Sequence, residues 1–76
     1  MSRTLADLRP QEQGVIHGIA GADGLTQRLF ELGFTPGQTV SLIRFAPLGD
    51  PLQVRIRGFD LALRRSEALR IELDPV

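Results

Sequence analysis

The side chains able to do chemistry in this 76-residue sequence are few and scattered: His17 is the single histidine and there is no cysteine or tyrosine. Hydroxyls come from Ser2, Thr4, Thr26, Thr35, Thr39, Ser41 and Ser66. A hydroxyl becomes a nucleophile when a base is held against it, and His17 is the one base the sequence offers all seven. The pattern points away from catalysis, and no catalytic residue is assigned. A lone imidazole without thiols or clustered carboxylates also falls short of the several protein ligands a selective first-row metal site takes, so neither metal nor cofactor is expected. His17 reads instead as a strand-face histidine. Asp50 and Asp60 read as loop aspartates bonded to their own backbone. "GIAGADG" lacks both the dinucleotide fingerprint and the lysine of a phosphate-binding loop.

The remaining polar chemistry is arginine. "PLGDPLQVRIRGFDLALRR", residues 47–65, carries Arg55, Arg57, Arg64 and Arg65 against two acids. Across the chain nine arginines balance nine acids, lysine is absent, and formal net charge is +0. Nucleic-acid domains are commonly basic and offer aromatic platforms to bases, whereas this chain is neutral and its aromatics are four phenylalanines. Nucleic acid is therefore the rival reading and not the favoured one. Each guanidinium is a planar fork suited to bidentate pairing with a carboxylate, and together with aromatics arginines are frequent interface anchors. That leaves docking onto a protein as the chemistry these residues fit.

The elements that must present those residues are short. With 42% hydrophobic and 24% charged residues the composition is that of a folded domain. A chain this size buries only about 60% of its unfolded surface, so residues 1–76 are read as one compact unit. The N-terminal "MSRTLADLRPQEQ" contains Asp7 and Glu12 and no apolar stretch, so it is not expected to be a secretory signal. No run reaches the roughly 18–20 apolar residues of a membrane span, and direct insertion is not expected.

Thr4 is placed to cap an opening turn in which Leu5 and Leu8 share a face and which Pro10 ends. "GVIHGIA", residues 14–20, reads as a strand, with a bulge near Gly18 because Ile16 and Ile19 break the alternation. "DGLTQRLFELGF" predicts a helix: Asp23 caps it, Leu25, Leu29 and Leu32 form the inner face, Gly33 stops it, and Phe34 folds back onto Leu29. Phe30 lies roughly 100° or more from those leucines. It is either an exposed anchor or packed against the Phe45 side of the sheet. Pro36 and Gly37 predict a type II turn.

"QTVSLIRFA", residues 38–46, predicts a strand whose alternation drifts, either because both faces are covered or because of a second bulge. "LQVRIRG" alternates cleanly, with Leu52, Val54 and Ile56 inward and Gln53, Arg55 and Arg57 on the solvent face. "GFD" turns the chain, Leu61 and Leu63 return inward, and Arg65 emerges at the lip. Ser66 caps a helical turn, and Leu69, Ile71 and Leu73 close the sheet before Pro75. The fold class is therefore mainly β, a small, partly open, SH3-like barrel of about five strands with one helix inserted after the first strand.

In that order, "RLFELGFTPGQTV", "APLGDPLQVRIRG" and "LALRRSEALRIEL" resemble the FeoA family, small SH3-like proteins associated with bacterial ferrous iron uptake. The resemblance covers about residues 4–73. Family members commonly carry Pro-Gly before the first strand, where this chain reads Pro10-Gln11-Glu12-Gln13-Gly14, which leaves the shape of that turn open. The resemblance implies a cytosolic, non-enzymatic accessory protein acting on the membrane iron transporter FeoB, a GTPase-bearing protein. Similar folds occur in iron-dependent repressors and ribosomal proteins, so fold alone does not choose the role. For a partner surface the residues singled out are Phe30, Arg28, Leu25, Arg64 and Arg65.

Overall fold

The computed structural model describes residues 3–75. Six strands and two helices follow one another: β1 (Arg3–Thr4), a 3-10 turn (Leu5–Asp7), β2 (Gln13–Ile19), α1 (Gly24–Glu31), β3 (Thr39–Phe45), β4 (Leu52–Ile56), β5 (Phe59–Leu63), α2 (Arg65–Ala68) and β6 (Ile71–Leu73). The strands form one sheet in the order β1-β6-β2-β3-β4-β5, and every pairing is antiparallel. Relative to the five strands expected, the sixth is the two-residue β1, in which Arg3 faces Leu73 and Thr4 faces Glu72.

The strand β2 is shared between two halves of the sheet, and this bends it around the core. Gln13, Gly14 and Val15 pair with β3, while Ile16, Gly18 and Ile19 pair with β6 across a register shift between Ile16 and Gly18. The extra residue is His17, which the bulge leaves exposed. A second shift in β3, between Leu42 and Arg44, accounts for the drifting alternation. Val40 and Leu42 face inward with no exposed surface, whereas Ile43 and Phe45 are half-buried.

Apolar side chains from every layer meet in one cluster, including Leu5, Ile16, Leu29, Phe34, Leu52 and Ile71. The opening turn closes one side of it, with Leu5 and Leu8 buried as their spacing predicts. Asp7 accepts from the Thr4 amide at 2.8 Å and holds that turn.

The helix α1 starts at the expected cap: Asp23 Oδ1 accepts from the Thr26 amide at 3.3 Å. Its end is a Schellman arrangement. Gly33 has φ +109°, its amide donates to the Phe30 carbonyl, and the Phe34 amide donates to the Leu29 carbonyl at 3.1 Å. Phe34 is thereby folded wholly into the core. The inner face differs from the expected leucine stripe, because Leu32 is the C-cap and is 42% exposed. Thr26 takes the buried place instead, and its hydroxyl donates to the Ala20 carbonyl and to Asp23.

Two type II turns of the same shape lead into β2 and β3. At Thr35–Gln38, Gly37 has φ +90° and the Gln38 amide donates to the Thr35 carbonyl. At Arg9–Glu12 the equivalent place is taken by Gln11 with φ +75°. The β4–β5 hairpin departs from expectation: Ile56 faces Phe59, so Arg57 and Gly58, at φ +53° and +81°, form a two-residue turn. Arg57 is thus a turn residue and not part of the strand's solvent face. Asp60 accordingly lies in β5 and not in a loop. Ser66 sits inside α2 and does not cap it; the capping contact comes from Glu67, whose Oε1 accepts from the Arg64 amide at 2.8 Å.

Candidate docking surface

An open groove of about 890 Å³ lies between α1, the loop before β4, β5 and α2. Leu25 and Arg28 line it from α1, Ala62 from β5, and Arg64 and Glu67 from the start of α2. Helical geometry puts Leu25 and Arg28 on neighbouring positions one turn apart, and the Arg64 backbone leads straight from β5 into α2. Three residues singled out from sequence, Leu25, Arg28 and Arg64, are therefore brought to one place.

Glu67 organises this groove, and sequence reasoning missed it. It is 8% exposed, and its two oxygens divide their work: one accepts from the Arg64 amide, and the other lies 3.4 Å from an Arg28 guanidinium nitrogen. A carboxylate three residues after a helix N-cap is a known capping signal, so the spacing from Arg64 to Glu67 was the available clue. Asp50, also in the groove lining, accepts from the Arg65 amide at 3.0 Å. Its bond is to a backbone fifteen residues away and not to its own loop. The guanidinium groups of Arg64 and Arg65 have no hydrogen-bond or ion-pair partner among the described residues.

Phe30 and Arg65 stand outside the groove lining. Phe30 is 39% exposed and lies outside the core cluster that Phe45 packs against. Arg65 begins α2 with its side chain exposed. Elsewhere several charges are paired with one another. Arg55 and Asp60 form a bidentate pair across β4 and β5 at 2.6 and 3.0 Å, which holds the Asp60 carboxyl below its usual range. Arg70 donates to Asp23 at 2.6 Å and, with the Thr26 amide, lowers the Asp23 pKa to about 2. His17 pairs through Nδ1 with Asp74 at 3.1 Å. Among the described residues no three metal-binding side chains cluster. Ser2, one of the hydroxyls considered, lies outside the described residues.

The FeoA domain model matches residues 3–75. The chain belongs to the FeoA family. Among its relatives, a Porphyromonas gingivalis protein named as an Fe(2+) transport protein A/Fe(2+) transporter FeoB fusion is 36% identical over 70 residues. That match takes in 92% of this chain but only 8% of the fusion protein. Stenotrophomonas maltophilia FeoA, solved in complex with zinc and described as a procaryotic SH3 domain protein, is 36% identical with a TM-score of 0.85. The superposition covers 95% of this chain and 89% of that one. The SH3-like class read from the strand pattern of this FeoA-family chain therefore holds. A manganese-dependent transcriptional repressor superimposes with a TM-score of 0.86 over 99% of this chain and 37% of its own, but at 18% identity the likeness is one of fold alone.

Proposed function

We propose that this FeoA-family chain is a non-enzymatic accessory protein of ferrous iron uptake that works by docking onto the membrane transporter FeoB from the cytoplasmic side. The observation that carries this reading is the fusion relative, in which a segment 36% identical to this chain shares a polypeptide with FeoB. Fusion makes an encounter between two modules intramolecular, which raises their effective concentration and is useful when they must touch. No helix among the described residues is long and apolar enough to cross a membrane, so contact with a membrane protein would come through a surface.

The docking surface we assign is the α1–α2 side: Leu25, Arg28 and Arg64 in the groove wall, with Arg65 beside it at the start of α2 and Phe30 on the adjacent turn of α1. It combines an exposed aromatic with guanidinium groups free to pair, the composition of an interface anchor. The test is capture of detergent-solubilised FeoB by the immobilised chain, with and without guanine nucleotide. Saturable capture is expected. Absence of capture in every nucleotide state would overturn the reading.

A further inference from the structure

The strand β5 stands at one end of the sheet order, and β4 is its one ladder partner. Because Ile56 and Phe59 close a two-residue turn, the pairs Ile56–Phe59, Val54–Leu61 and Leu52–Leu63 are the ones that exchange hydrogen bonds. The amides and carbonyls of Asp60 and Ala62 then point away from β4. None of them finds a partner in the turns, caps or side-chain bonds of the described residues. Among the described residues the opposite edge is the two-residue β1.

Two hollows adjoin this edge. One is the arginine groove, and the other, of about 320 Å³, is lined by Pro47, Pro51 and Leu61 together with the polar Arg44, Gln53 and Asp60; Pro51 and Ala62 line both. A strand added beside β5 would turn successive side chains alternately into the two hollows. The groove side offers the unpartnered Arg64 guanidinium, while its acids are engaged, Glu67 by Arg28 and the Arg64 amide and Asp50 by the Arg65 amide. Asp60, the acid nearest the edge, is neutralised by Arg55.

We propose that the free edge of β5 is a strand-acceptor site: an extended partner segment alternating aliphatic and acidic residues adds to the sheet at Asp60 and Ala62. Its carboxylates meet Arg64 and its aliphatic side chains fill the Pro47–Leu61 hollow. The inference rests on the docking reading and deepens it by naming the mode of contact and the chemistry of the partner segment.

The test uses the full 76-residue chain, 15N-labelled, and two synthetic probes, acetyl-Val-Glu-Val-Glu-Val-Glu-amide and its lysine counterpart. The glutamate peptide should shift the Asp60 and Ala62 amide resonances and slow their exchange with solvent at least tenfold, while the lysine peptide leaves them unchanged. Ala62→Pro removes an outward N–H without touching the ladder to β4 and should abolish binding. Arg64→Glu should weaken it at least tenfold and decides the matter should the proline variant fail to fold. Equal response to both peptides, or no response of β5 amides, overturns the proposal. So does a dimer whose Asp60 and Ala62 amides are already protected without peptide, which would make a second copy the occupant. In parallel, FeoB capture that is unchanged by Ala62→Pro and Arg64→Glu would overturn strand addition and leave docking standing. Peptide binding at β5 without FeoB capture would uphold the acceptor edge and remove FeoB as its partner.

Discussion

Two phenylalanines four residues apart on and after one helix do opposite work. Phe34 has no exposed surface and closes the core over Leu29, whereas Phe30 keeps 39% of its surface in water. Truncating a wholly buried phenylalanine costs about 3–5 kcal/mol. That is a large part of the roughly 4–11 kcal/mol available to a chain of this length. Phe34→Ala should therefore leave little folded protein in a thermal melt. Phe30→Ala should cost less than about 1 kcal/mol, under roughly 4–8 °C in melting temperature, while weakening FeoB capture about tenfold or more. A melt of Phe30→Ala as depressed as that of Phe34→Ala would place Phe30 in the core.

Asp23 carries a pH prediction at the same scale. Its folded pKa, about 2, lies below its ordinary 3.8 because Arg70 and the Thr26 amide favour the carboxylate. A depressed acid stabilises the fold fully above the unfolded value and loses that contribution as pH falls through the folded one. Urea midpoints should accordingly drop between about pH 4 and pH 2. Asp23→Asn keeps a capping oxygen but not the charge, so it should flatten part of that drop. An unchanged slope would mean that the Arg70 pair does not matter to folding.

Among the elements, the turns show what a residue type can and cannot announce. Pro36-Gly37 declares a type II turn, and Gly37 indeed takes φ +90°. Pro10-Gln11 makes the same turn with Gln11 at φ +75°, where a side chain is strained. Gln11→Gly should raise stability by about 0.5–1 kcal/mol, read as a higher urea midpoint at constant slope. No gain would mean that the bond from the Gln11 side-chain Nε2 to the Ile43 carbonyl compensates for the strain.

The same contrast explains what else could be read in advance. The Asp23 cap, the Gly33 stop, the bulge near Gly18 and the Leu52-Val54-Ile56 face follow from local chemistry and period, and all are present. The Arg57 turn hid because an arginine in left-handed conformation gives no turn signal. Its aliphatic stem lies over Gly33, where an added Cβ would meet Arg57 Cδ at 3.0 Å. Leu32 looked buried by spacing, but the Schellman turn ends the helix before that face meets the core. Of the docking residues, sequence supplied Phe30, the arginines and Leu25. For Glu67 it offered only the capping spacing, and the long-range partners, Arg28 for Glu67 and the Arg65 amide for Asp50, are set by how the chain folds.

At the scale of the whole molecule, an electrically balanced chain whose arginine groove adjoins the open edge of β5 is suited to short-range contact rather than long-range steering. Contacts limited to a few arginines should weaken gently with salt, unlike the steep loss that a polyanion partner would show. If this chain acts on FeoB through its α1–α2 surface, an affinity titration against solubilised FeoB will show it. Saturable binding of the wild type is expected, with at least about tenfold weaker binding by Arg64→Glu and Phe30→Ala, both still folded. No saturable binding, or equal affinity for all three proteins, would contradict it.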